Sequence, residues 1–187
     1  MGPKYEFTGE TWHYGDYILY RIRRLSDNKI GGWIEKEENL SQEGNCWVDD
    51  EAKVFGDARV YDNAKVYDKA WVGDKAKIYD EAQVYGHAAI DMGAQIYGNA
   101  MVYDGTSVYE HAHVYGHAKI SGNAWISGKA QVYDDATISG ESEVRGNTKA
   151  YGNVRILNGE YTTGEYTTGE YNNENFCRWD DNIEDLF

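Results

Sequence analysis

Five histidines, His13, His87, His111, His113 and His117, are the side chains best suited to move a proton or hold a metal near neutral pH. Catalysis would need one of them beside an acceptor hydroxyl or amine, and a zinc site would need three or four ligands converging on one point. His111, His113 and His117 cluster in sequence, but their spacing to carboxylates does not demand a metal, and none is expected. Cys46 and Cys177 can form at most one bridge, so they read as idle thiols. With 32 acidic against 18 basic residues the net charge is −14, which argues against general nucleic-acid or anionic-membrane binding. Without an apolar run of about 18 residues no membrane span is expected, and without an apolar stretch near the start a cytoplasmic location is the simplest expectation.

Those side chains are placed by a repeat of six residues. From Cys46 the chain reads CWVDDE, AKVFGD, ARVYDN, AKVYDK and onward to VRILNG, nineteen hexads without an insertion. In each, a small residue, an outward residue and a Val or Ile alternate as a short strand, and a pair such as Gly56-Asp57 or Asp62-Asn63 supplies the turn. A lone unit cannot bury its Val, so stacked coils must share one core. With three hexads per coil, positions 18 apart lie above one another. Tyr61, Tyr79, Tyr97, Tyr115, Tyr133 and Tyr151 then form one unbroken column, while the two equivalent columns are mixed. The expected fold is an all-β triangular solenoid, a parallel β-helix of about six coils at roughly 4.8 Å each. Residues 1–45 are expected to cap it and residues 46–157 to form it. Residues 158–187 run GEYTT, GEYTT, GEYNN and then an acidic end; lacking Val and Ile, they are expected to be an extended tract rather than another coil. Half of the charge excess, −7, lies there.

The hexads resemble the bacterial transferase hexapeptide repeat. Together with YILYRIRRL (17–25) and GGWIEKEENLSQEGNCWV (31–48), they resemble a bacterial and phage group often labelled as acyltransferases. The resemblance implies a left-handed β-helix and a homotrimer. It also implies one enzymatic reading: an acyl-CoA-dependent transferase, with acetyl-CoA as cofactor and His113, His117 or His87 as general base. Transferases of this kind usually extrude a loop to embrace the acceptor, and this array has no such insertion. The zinc-dependent carbonic anhydrases of the same fold need three converging histidines, and no histidine here has another 18 residues away. An acidic DNA mimic is a third reading, but the corner column Asp62, Asp80, Gly98, Gly116, Asp134, Gly152 is a broken row of carboxylates.

A noncatalytic binding or structural module fits the columns best, and the phage resemblance adds an antagonist of a host factor as one version of it. Beside the tyrosines stand Lys77, Gln95, His113 and Gln131, donors without an acid. This face is expected to be a contact between subunits or with a ligand. Trp71, Ala89 and Trp125 mark a second patch on another face. The terminal WDDNIEDLF resembles the acidic tip of bacterial single-stranded-DNA-binding proteins, which suggests a protein partner for the tail with Trp179, Ile183, Leu186 and Phe187 as its anchor.

Overall fold

The computed structural model describes residues 2–172, so Cys177 and the tail anchor Trp179, Ile183, Leu186 and Phe187 lie outside the described residues. The described chain is an all-β parallel solenoid with three sides. Side A stacks Lys53-Val54 on Trp71-Val72, Ala89-Ile90 and Ser107-Val108. Side B stacks Arg59-Val60 on Lys77-Ile78 and Gln95-Ile96. Side C stacks Lys65-Val66 on Gln83-Val84 and Met101-Val102. The register of 18 residues read from the hexads is the pairing observed.

Each hexad closes by the same physics. The small residue and the aliphatic point inward, and from Ala52 to Ile138 nearly all of them have no exposed surface. Thr106, Ser142 and Thr148 replace alanine at that position, and each hydroxyl donates to the carbonyl three residues back, to Tyr103, Ser139 and Arg145 respectively. Backbone N–H groups donate from one coil to the next, as in Tyr79 N to Ile96 O at 3.1 Å and Tyr97 N to Val114 O at 3.0 Å. Two residues after the aliphatic the backbone enters the left-handed region. Gly or Asp occupies that place almost throughout, because glycine has no Cβ to clash and aspartate tolerates it better than most residues. The aspartates also hold the next coil. Asp68, Asp80, Asp104 and Asp134 accept from the N–H of Gly86, Gly98, Gly122 and Gly152, each 18 residues on, at 3.0–3.2 Å. Much of the acidic excess of the repeats is therefore spent on corner amides that no strand partner serves.

The stack is longer than the hexads alone imply. Eight coils form, because both expected boundaries fall inside the paired region. At the start, a hairpin of β1 (Tyr5–Tyr14) and β2 (Tyr17–Arg24) leads into β3 (Ile30–Ile34). There Trp33-Ile34 already pairs with Lys53-Val54, and Leu40 bridges Val60. The loop between them is tied by Asn39, whose amide donates to the carbonyls of Gly56 and Ala58 while its oxygen accepts from the N–H of Lys36. At the other end, the pentads expected to lie apart from the coils pair with them. Tyr161 aligns with Val144, Glu165-Tyr166 with Lys149-Ala150, and Glu170-Tyr171 with Arg155-Ile156. The missing Val and Ile misled because tyrosine takes the inward slot. Every pentad shortens the circuit by one residue, and the narrowing end is filled by the rings of Tyr161, Tyr166 and Tyr171, which meet nearly at right angles with centroids 5.1–6.3 Å apart. A tyrosine plug thus closes the core that an open end would expose to water.

Val102→Asp, which places a carboxylate in a position with no exposed surface and coils on both sides, is expected to abolish the cooperative thermal transition. A normal transition would refute the register. Tyr161→Ala is expected to cost about 3 kcal/mol or more by emptying the plug, measured by denaturant unfolding. An unchanged midpoint would show that the pentads contribute nothing to closing the prism.

Candidate functional site

The six-tyrosine column lies at the corner where side B ends. Its rings stack face to face from Tyr61 to Tyr151, with centroids 4.8–5.0 Å apart and planes within 5° of parallel. That spacing is the rise of one coil, so the ladder is the backbone period expressed in side chains. The rings are half-buried. Their faces are consumed by one another, which changes the chemistry expected of them: the flat apolar area is spent within the ladder, and what reaches solvent is a row of ring edges and hydroxyls at coil spacing. Such a row cannot intercalate bases or stack on sugars, but a phenol hydroxyl whose proton is not already engaged can both donate and accept.

Side B supplies the neighbours. Lys77, Gln95, His113 and Gln131 follow one another in register. The Tyr79 hydroxyl donates to Gln95 Oε1 at 3.3 Å, and His113 stands edge-on to the Tyr97 ring at 6.2 Å. Burial and the nearby His111 lower the His113 pKa, so the ring is neutral at pH 7. The side is not free of acid, contrary to the column read from the hexads alone. The pentads add Glu165 below Lys149, where its carboxylate pairs with the Lys149 ammonium at 2.8 Å and accepts from the Tyr151 hydroxyl at 3.1 Å. Glu165 is a site residue that the sequence reading missed; the signal was the Glu-Tyr pair of GEYTT, which repeats the outward-inward order of Lys149-Ala150. A shorter ladder, Tyr67, Tyr85 and Tyr103, stacks on the next corner in the same way, again within a column that looked mixed.

The histidine candidates do not converge. His87, His111 and His117 occupy three different corners and are exposed, while His113 projects from side B. His117 Nδ1 lies 3.7 Å from the carboxylate of Asp135 one coil on, an exposed pair in a shallow groove with Glu81 and Asn99. Among the described residues no group of three His, Cys, Asp or Glu is placed to hold a metal. Cys46 is buried, with the Lys4 ammonium 3.1 Å from its sulfur and burial as the main influence raising its pKa.

Burial raises the phenol pKa values of Tyr61, Tyr79, Tyr97 and Tyr115, and neighbouring corner aspartates or ladder tyrosines add to it. The folded chain therefore keeps protons that the unfolded chain releases, so stability falls as pH climbs past the ordinary phenol value of about 10 and goes on falling until the raised folded values are passed. Ultraviolet titration of the 17 tyrosines is expected to show a delayed fraction that ionises only above that value and merges with the rest on denaturation. A single normal titration of all tyrosines in the folded protein would contradict the stacked, desolvated ladder.

A family model for the YdcK beta-solenoid repeat matches residues 52–74, 94–110 and 130–146, in agreement with the coils seen here. No curated protein matches the chain significantly. The match and the coordinates agree on a β-solenoid repeat protein.

Proposed function

We propose that this chain is a noncatalytic structural and binding module that associates with further copies of itself through the tyrosine-ladder corner. The single observation that carries this reading is the alignment of six parallel tyrosine rings, with centroids 4.8–5.0 Å apart, which sets out their hydroxyls in a row. A partner that engages all six rungs must share that period over the whole length, and a second β-solenoid coil stack does so by construction. A column at a prism corner, rather than mid-face, also lets three parallel prisms meet around one axis. Hydroxyls at the levels of Tyr61, Tyr97, Tyr115 and Tyr133 can then donate once and accept once around the axis, while those of Tyr79 and Tyr151, which already donate to Gln95 and Glu165, can accept; a column of lysines or aspartates would repel.

The flanks fit the same arrangement. In a threefold assembly side B of one copy meets the start of side C of the next, which places the Lys77 column opposite the corner column that carries Glu81 and Asp135. The resemblance to hexapeptide-repeat proteins, whose relatives are left-handed trimers, supports this state. Exposed ring edges in a row, with polar donors at the rim, have the composition of a subunit contact.

Light scattering is expected to give three chain masses for the wild type, and Tyr97→Ser with Tyr115→Ser is expected to lower the mass while circular dichroism stays that of the wild type. A monomeric wild type would sink the proposal, and so would a trimer untouched by the double substitution. Loss of a bound small molecule at constant mass would instead make the ladder a ligand site.

A further inference from the structure

We propose that the middle of side A is a binding site for a neutral oligosaccharide of pyranose rings, held between Trp71 with Tyr14 at one end and Trp125 with Tyr109 at the other. The site is on a different side from the tyrosine ladder and does not depend on it. Trp71, Ala89, Ser107 and Trp125 pair in that order, so the two tryptophans stand three coil steps apart, roughly 14 Å. Between them the floor consists of one methyl and one hydroxymethyl group. The result is a trough with aromatic ends and a flat base.

Both ends present aromatic surface. Trp125 is 49% exposed and is braced edge-on by Tyr109 at 5.4 Å. Unlike the ladder tyrosines, its ring does not spend its face on a parallel neighbour. At the other end the hairpin leans onto the solenoid: half-buried Trp71 is met edge-on by Trp12, Tyr14 and Phe55 and has the Lys53 ammonium 5.6 Å from its ring centre. The surface offered there is therefore chiefly that of Tyr14, which is 46% exposed and stacked by Trp12 on one face. Polar groups line both rims. Asp91, half-buried, stands on one corner beside Gly73, where an added Cβ would lie 3.0 Å from its carboxylate oxygen. His87 and Asn123 stand exposed on the other corner. Aromatic faces against the C–H faces of pyranose rings, with carboxylate, imidazole and amide groups to take the hydroxyls, is the chemistry of sugar recognition.

The same corner is where the backbone breaks its own rule. Met92 and Glu110, on consecutive coils, occupy the left-handed position with φ of 61° and 59° in place of Gly or Asp. Met92 is 51% exposed, so core packing does not account for its choice. Strain accepted beside Asp91 and Tyr109 marks this stretch as shaped by something other than the repeat.

Other occupants fit less well. A peptide strand needs unpaired backbone groups, but Ala89, Asp91 and Ser107 already donate to the next coil at 2.9–3.0 Å. A helix needs an apolar groove, and the floor offers a single methyl. Between Lys53 above and Glu143 below, the column carries no charge, which suits a neutral ligand rather than a polyanion.

Tryptophan fluorescence titration of the full chain with cellotetraose, chitotetraose and mannotetraose tests this. At least one is expected to quench saturably. Trp125→Ala is expected to weaken that binding about tenfold or more, and Ser107→Arg, an outward change that blocks the floor, to remove it. Tyr97→Ser with Tyr115→Ser is expected to leave it intact, which separates this site from the oligomer contact. Failure of all three sugars to bind would overturn the proposal, as would binding that survives both side A substitutions. Saturable binding of a synthetic peptide of residues 173–187 in place of the sugars would also overturn it, by giving the trough to the chain's own tail.

Discussion

Everything in this molecule depends on the backbone hydrogen bond from one coil to the residue 17 positions on, made again and again with no slip through the hexads. A parallel pairing of two-residue strands is weak by itself. It holds because the inward small and aliphatic side chains must stay inside, and a slip of one residue would turn each of them to solvent. The corners remove the remaining freedom. Left-handed Gly and Asp bend the chain, and the aspartate carboxylates bond the amides that the strands cannot serve. A protein with a large acidic excess can therefore stack its corners closely, because several of the carboxylates face backbone donors rather than one another.

With the register fixed, the outer surface becomes a set of independent columns. A residue repeated at 18-position spacing is presented at coil spacing without further design, which is how six tyrosines become a stacked ladder. Where the column changes type, as from Trp71 to Ala89 and Ser107 and back to Trp125, it makes a recess with ends. One scaffold thus offers two unlike surfaces: a row of hydroxyl edges with spent ring faces, and a column with an open ring at Trp125 and a packed aromatic cluster at Trp71.

The repeat, its strand and turn positions and the tyrosine column were all legible in the sequence, because a period of six leaves each in plain view. The ends were not. Tyr161, Tyr166 and Tyr171 stand where the hexads have Val or Ile, and a five-residue unit breaks the count that made the rest readable, so the plug and the Glu165 contact with Tyr151 were invisible to a search for aliphatics. At the start, Trp33-Ile34 and Leu40 complete a coil without obeying the hexad, since the short turn carrying Asn39 replaces a standard corner. Ring orientation was also beyond the sequence. Whether tyrosines 18 apart spend their faces on one another or on a partner depends on side-chain torsions that no spacing encodes, and the observed parallel stacking moved the chemistry of that face from aromatic platform to hydroxyl row.

Hydroxyl-radical footprinting, read tyrosine by tyrosine by mass spectrometry, tests the central claim that the ladder corner is the working contact. At a concentration where the protein is associated, Tyr79, Tyr97, Tyr115 and Tyr133 are expected to be oxidised far less than Tyr14 and Tyr109, and dilution below the association range is expected to raise their labelling while leaving the other two unchanged. Ladder tyrosines labelled to the same extent at both concentrations would contradict it.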